Sequence, residues 1–388
     1  MKNYKMLIVS KNLTTGGIEN SFINFVKNVK DDISIETFLC NNNGVLKSKM
    51  PQDIKVVEGN QVIKALNGAD SLYVGNDKTT KFKRGFRNFV KCVVNKLGLK
   101  GILKWWGILT TKKIKETYDC ALCYYAQSDM CSKITLKKVN AKQKWAYIHA
   151  DVSKFEIGKK IEKLLKKYDK ILCVSHSCAE IFKKRYADLA NKVDYVYNFQ
   201  NCETIRNLAN EFEVEYPETF NIVSVSRLSE LEKGIMRSTD VFKQLKEEGY
   251  KFNWQVIGGG CDEALIKKYI EDNGMTGCIT MHGTKANPYP YIKAADLFYL
   301  GSYHESWGIV LIEALALGVP IVTTKTSSSK EILGEKCFIC NNDKQSIYEQ
   351  LKFVLDNKEI LKSKKEEIKN YEFDNEANKK RLLEMLKK

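Results

Sequence analysis

The sequence predicts an α/β protein built from two doubly wound domains. Three observations carry this. Short apolar runs alternate with amphipathic helical stretches over most of the chain, the pattern of parallel sheets covered by helices. At 388 residues the chain is long enough for two or three domains, each with its own core. The alternation also restarts at Phe220, just after the acidic stretch Glu211-Phe-Glu-Val-Glu-Tyr-Pro-Glu218, which holds one of only five prolines. This division predicts a first domain over residues 1–205 and a second over 206–370. A separate charged helix over 371–388 is free to pack back on the first domain.

The elements follow in order. Met6-Leu-Ile-Val-Ser10 reads as a first strand, and the loop Thr14-Thr-Gly-Gly-Ile-Glu19 leads into a helix with Ile18, Phe22, Phe25, Val26 and Val29 on one face. Further strands are predicted at Ile35–Leu39, Ser71–Val74, Cys120–Tyr124, Trp145–Ile148, Lys170–Val174 and Asp194–Tyr197. The second half repeats the pattern at Phe220–Ser226, Trp254–Gly258, Ile279–His282, Leu297–Leu300 and Pro320–Thr323. Two such domains facing each other across a deep cleft would bind a ligand at the carboxyl ends of their strands.

Composition narrows the class. Hydrophobic content of 44% with 28% charged residues fits a soluble globular chain rather than a disordered or membrane-embedded one. The longest apolar run, Gly308 to Val322, is broken by Glu313 and Pro320 and is too short for a membrane span. The N-terminus has no signal-peptide layout, so the twelve cysteines are expected as cytoplasmic thiols. Cys120-x-x-Cys123 and Cys337-x-x-Cys340 have the spacing of zinc half-sites, but both lie in apolar runs typical of buried strands.

The net charge of +16 lies entirely in residues 1–200. It is densest from Lys81 to Lys115, where Lys83, Arg84, Arg87 and Lys91 alternate with Phe82, Phe86 and Phe89, and Trp105 and Trp106 follow. Cations mixed with Trp, Phe and Leu at helical spacing describe a helix lying on an anionic membrane. A core helix with a solvated basic face is the plainer alternative. A nucleic-acid surface lacks any accompanying recognition module.

The most informative stretch is Gly301-Ser-Tyr-His-Glu-Ser-Trp-Gly308 and the apolar helix that follows it to Pro320. A helix reading Ile309, Val310, Leu311, Ile312, Ala314, Leu315, Ala316, Leu317 should be buried, and a carboxylate within it, Glu313, requires a polar partner. A bound ligand is the natural candidate. Glu305 lies in the loop before the helix, which puts the two carboxylates roughly 10 Å apart along one wall. Between them point the N–H groups of the first helical turn, an anion-binding end. Carboxylate, anion site, carboxylate suits a sugar, a diphosphate and a ribose in a row.

Arg227 and Lys233 follow the strand ending at Ser226 and supply the forked and the pointlike cation that a diphosphate needs. Gly258-Gly259-Gly260 and Gly16-Gly17 each follow a strand and permit close backbone approach. Of the four histidines, His149 ends a strand in the first domain, where a cleft residue belongs; His176 and His282 read as structural. Neither a Ser/His/Asp elbow nor a carboxylate-rich metal cluster is evident.

The string Arg227…Lys233-Gly234, Ile257-Gly-Gly-Gly260, Gly283, Tyr291, Ala295-Asp296 and Glu305-x7-Glu313 resembles the family-4 retaining glycosyltransferases of the GT-B fold. With the Gly16-Gly17 loop, His149 and Val174-Ser175, the resemblance covers nearly the whole chain. It departs at Ser226, where a Gly commonly precedes the Arg, and at Asn198-Phe-Gln-Asn201, which only partly matches the usual interdomain turn. The resemblance implies transfer of a sugar from a nucleotide diphosphosugar with retention at the anomeric carbon and without a metal. Arg227 and Lys233 would hold the diphosphate and Glu305 the hydroxyls of the sugar, with the backbone N–H groups of Ser306, Trp307, Gly308 and Ile309 beside them. Glu313 would bind the ribose, and Gly259, Gly283 and Thr284 would flank the nucleotide. His149 would contact the sugar, and Gly17 the acceptor or phosphate side. With the basic first half, it implies a lipid-linked or oligosaccharide acceptor in bacterial surface polysaccharide synthesis, at the inner face of the cell membrane. The rival readings are a nucleotide-sugar epimerase of the same architecture and a glycan-binding subunit that has lost catalysis.

Overall fold

In the computed structural model, residues 4–14, 16–66, 100–153 and 156–387 are described. The predicted strand Ser71–Val74 and the cations Lys83, Arg84, Arg87 and Lys91 lie outside them. The chain divides into two compact units, Met1–Phe199 with Asn375–Lys388, and Gln200–Asp374.

Among the described residues, the first unit holds a seven-stranded sheet of β1 (Tyr4–Ser10), β2 (Ile33–Leu39), β3 (Lys55–Glu58), β4 (Thr117–Cys123), β5 (Asn140–Ile148), β6 (Lys170–Cys173) and β7 (Val193–Tyr195). Its strand order is β3-β2-β1-β4-β5-β6-β7, and every pairing is parallel. Met6, Leu7, Ile8 and Val9 are all buried, as a central parallel strand covered on both faces requires. The helix Gly17–Val29 buries Phe22, Phe25, Val26 and Val29 at helical spacing. The sequence did not signal β3, because this edge strand is short and charged; its Lys55 pairs with Glu36 at 3.0 Å and Glu116 at 2.8 Å.

The second unit holds β8 (Phe220–Val225), β9 (Phe252–Ile257), β10 (Ile279–Gly283), β11 (Leu297–Leu300), β12 (Ile321–Thr324) and β13 (Phe338–Cys340). They are ordered β10-β9-β8-β11-β12-β13, again all parallel. In this order the strand sequence reverses between β8 and β11, the switch point at which open α/β sheets leave a crevice at their carboxyl ends. Apolar clusters pack on both faces of this sheet, one around Trp254 and Phe242, the other around Phe298 and Leu311. Cys120 and Cys123 are buried in β4, and Cys340 lies in β13.

The unit boundaries fall at 199/200 and 374/375, not at 205/206 and 370/371. The helix Cys202–Leu208, capped by Asn201, accounts for the first difference. Cys202 and Ile205 pack on Ala316, and Arg206 donates to the Tyr371 carbonyl at 3.3 Å. The acidic stretch at 211–218 therefore lies inside the second unit. The final helix, Asn375–Lys387, belongs to the first unit. Its buried Asn378 accepts from Tyr197 N at 2.9 Å and donates to Tyr197 O at 2.8 Å. Asn378→Ala removes both partners of one backbone unit. It should lower the unfolding free energy by about 1–3 kcal/mol in urea titration; a loss below about 0.5 kcal/mol would show that this helix is held by other contacts.

Candidate functional site

The loops leaving β8 and β11 flank the switch point of the second unit, and they carry Arg227, Lys233 and Glu305. Lys233 Nζ lies 2.5 Å from Glu305 Oε1, and the two side chains are only 14% and 13% exposed. Ser302 Oγ donates to the same carboxylate oxygen at 2.9 Å, and Ser327 Oγ donates to the Glu305 carbonyl at 2.8 Å. Two residues that the sequence reading placed 72 positions apart are thus one ion pair. Arg227 takes a different position. Its side chain is 66% exposed and its Nη2 contacts Glu232 Oε2 at 2.5 Å.

Why these loops meet is explained by the three glycines after β9. A Cβ on Gly258 would lie 1.8 Å from the Ser226 carbonyl oxygen, and one on Gly260 would lie 2.1 Å from that of Leu228. The backbones also bond directly, Leu228 N donating to Gly259 O at 3.0 Å. The triplet is needed to seat the Arg227 loop, a packing role. A Cβ on Gly259 would fall 2.5 Å from Thr284 Oγ1, so Gly259 and Thr284 are in contact. Gly283 adopts a left-handed φ of 66° as β10 ends.

Gly308, at φ 70°, starts the helix Ile309–Ala316; a glycine N-cap offers no capping side chain, and the first turn holds no acid. Its N–H groups and partial positive charge therefore lie just beyond Glu305. Ser306 is half-buried and Trp307 fully buried, the indole edge-on to Phe373 at 6.1 Å. Glu313 is half-buried, and the partner its burial demands includes the Tyr289 hydroxyl, which donates to Oε1 at 3.1 Å. Burial and the adjacent carboxylate hold the Tyr289 phenol well above its usual range. Glu232, Ser302, Ser327 and Tyr289 were missed from the sequence; nothing in their local pattern marks them. His282, read as structural, donates through Nε2 to Gln255 Oε1 at 2.7 Å, with its pKa lowered by burial.

In the first unit His149 follows β5 and is 8% exposed. Its ring packs between Tyr124 and Tyr147, with centroids 4.8 and 4.4 Å away. Burial lowers its pKa to about 3. The ring is neutral at pH 7, able to contact a hydroxyl and unsuited to delivering a proton. Gly17 opens the helix Gly17–Val29 and is exposed. The Glu19 carboxylate lies beside it, since a Cβ on Gly16 would fall 2.4 Å from Glu19 Oε2. A carboxylate at this helix start disfavours a phosphate there and suits a hydroxyl-bearing group. Burial raises the Glu19 pKa.

The helix Lys100–Thr110 exposes Ile102, Trp105, Trp106 and Leu109 along one stripe. Lys104 turns back to Asp129 at 3.0 Å, while Lys112, Lys113 and Lys115 are exposed. Among the described residues, no helix is long and apolar enough to cross a membrane, and no group of three His, Cys, Asp or Glu is arranged to hold a metal.

Residues 207–372, nearly the whole of the second unit, match the model of the family described as glycosyl transferases group 1. Two curated relatives are similar over shorter stretches. The amylovoran biosynthesis glycosyltransferase AmsK of Erwinia amylovora is 32% identical over 124 residues, 30% of each chain. The putative colanic acid biosynthesis glycosyltransferase WcaL of Escherichia coli K12 is 34% identical over 131 residues, 31% of this chain and 32% of that one. The matched stretches thus span about a third of these relatives' length. Among solved structures, HepE of Anabaena in complex with UDP and glucose superposes with a TM-score of 0.68. It is 16% identical and the match covers 99% of this chain and 100% of that one. The fold is therefore the two-unit α/β fold of the GT-B class.

The buried neutral His149 has a consequence for stability. Its folded pKa lies below the unfolded value of about 6.5, so the unfolded state binds more protons between pH 6.5 and about 3. Stability should fall as pH drops through this window, and the fall should be shallower in His149→Phe. Equal slopes for the two proteins in unfolding titrations would show that His149 is not held neutral.

Proposed function

We propose that the chain is a retaining glycosyltransferase. It would move a sugar from a nucleotide diphosphosugar to a glycan acceptor in the synthesis of a bacterial surface polysaccharide. The observation that carries this is the Lys233–Glu305 pair at the carboxyl ends of β8 and β11, beside a helix start whose N-cap is Gly308. Lys233, Arg227 and the helix end supply positive charge for the diphosphate as it leaves, an electrostatic contribution to the transition state. Glu305 takes hydroxyls of the transferred sugar, and Glu313, steadied by Tyr289, takes the ribose. Gly259, Gly283 and Thr284 line the nucleotide side. His149 enters as a neutral ring contacting the sugar, with no proton to transfer. The polysaccharide roles named for AmsK and WcaL, and the UDP and glucose bound by HepE, support this class of donor and acceptor.

On this reading two side-chain cations and a helix dipole do the work of a metal, and activity should survive EDTA. Assays of nucleoside diphosphate release across common donors, with and without lipid extract, should identify the substrate pair. Glu305→Gln should then lower turnover by about 10²-fold or more. Near-wild-type turnover in that variant would reject the assignment, and isomerised sugar from donor alone would favour an epimerase.

The acceptor proposed is lipid-linked, with the enzyme peripheral at the cytoplasmic face of the membrane. The exposed stripe Ile102, Trp105, Trp106 and Leu109, with Lys112, Lys113 and Lys115 beyond it, fits an anionic lipid surface. The proposal extends to Lys83, Arg84, Arg87 and Lys91 on the strength of their sequence pattern. Cosedimentation with phosphatidylglycerol vesicles should be lost in Trp105→Ala/Trp106→Ala and weakened by neutralising Lys83, Arg84 and Arg87. Undiminished binding in both variants would remove this surface from consideration.

A further inference from the structure

The turn that presents Glu305 is fixed by a guanidinium that reaches it from a neighbouring helix. Three consecutive carbonyls, those of Gly301, Ser302 and Tyr303, leave β11 without strand partners of their own kind, and side chains meet all three. Arg237, in the helix Ile235–Glu247, donates through Nη2 to Gly301 O at 2.7 Å and through Nη1 to Asn342 Oδ1 at 2.9 Å. Its guanidinium carbon also lies 3.8 Å from the centroid of the Tyr303 ring. Asn342 then passes the restraint on, its Nδ2 donating to Tyr303 O at 2.9 Å and Ser302 O at 3.2 Å. Thr324 Oγ1 adds a bond to Ser302 O at 2.5 Å. The turn ends in Ser302 Oγ holding the Glu305 carboxylate.

We infer that Arg237 is the positioning residue of this site, acting through Asn342 and the Gly301–Tyr303 turn on the Glu305 carboxylate. The inference rests on the reading of Glu305 as a sugar ligand. A planar fork is what the geometry uses: two donors aimed at two acceptors while the plane lies on an aromatic ring. A lysine keeps the charge and loses the fork, so charge alone and positioning are separable. Arg237 also lies four residues after Lys233, across the left-handed Gly234 that separates their two helices. Backbone at the two ends is joined directly, Tyr303 N donating to Glu232 O at 2.8 Å. The clasp therefore sets both members of the Lys233–Glu305 pair against each other. Close packing leaves the turn little other freedom, since a Cβ on Gly301 would lie 2.3 Å from the Tyr299 hydroxyl and one on Gly234 2.9 Å from Gly301 O.

The test uses the full chain and the donor identified by the release assay. Arg237→Lys and Asn342→Ala should each lower kcat by at least about tenfold. KM for the donor, and the affinity for whichever of UDP and GDP binds in calorimetry, should stay within about threefold. In a Glu305→Gln background, Arg237→Lys should cost less than about twofold, because the carboxylate it positions is already gone. Thermal melts check folding, and Asn342→Ala carries the test if the Arg237 variant does not fold. Wild-type kcat in both variants, or losses that simply multiply with Glu305→Gln, would overturn the inference. A fully active Glu305→Gln would instead overturn the reading of the site on which it stands.

Discussion

A partly buried ion pair between Lys233 and Glu305 is the interaction on which the second unit's arrangement depends. Neither charge would be tolerated at 13–14% exposure alone, and each makes the other's desolvation acceptable. The pair forms because the sheet order places β8 beside β11, so that loops far apart in sequence emerge together. The Gly258–Gly260 triplet then lets the β9 loop close against the β8 loop, and the Arg237–Asn342 clasp holds the β11 turn. An anion that exchanged with Glu305 for Lys233 would keep the ammonium paired and leave the carboxylate to hydroxyl partners such as Ser302.

Much of this was legible in the sequence. Strong apolar runs such as Met6–Val9 and Leu297–Leu300 specified central parallel strands, and the Gly308-to-Val322 segment specified a buried helix with one awkward carboxylate. The short charged edge strand β3 was not legible, because edge strands bury little and carry no periodic signal. The unit boundary was misplaced by a few residues, since the helix Cys202–Leu208 attaches to the second unit through Ala316 and Tyr371, contacts that only the folded chain brings together. Within the candidate site, the sequence marked Glu305 by its spacing to Glu313 and Lys233 by its place after a strand, whereas Glu232, Ser302, Tyr289 and Asn342 carried no mark. They are ordinary polar residues whose roles come from long-range packing.

In the second unit the site pairs Lys233 with Glu305. In the first, burial keeps His149 neutral, and the helix start at Gly17 is already met by Glu19. Such a surface is better matched to hydroxyl groups than to phosphate. The exposed tryptophans of the helix Lys100–Thr110 add an apolar face to the first unit.

The central claim is that Lys233 and Glu305 are poised to receive a nucleotide diphosphosugar. It is tested most directly by a crystal structure of the chain with an unreactive donor analogue. The account predicts diphosphate oxygens within about 3 Å of Lys233 Nζ, near the start of the helix Ile309–Ala316, and a sugar hydroxyl at hydrogen-bond distance from Glu305. A donor bound elsewhere, with the Lys233–Glu305 pair closed on itself and untouched, would contradict it.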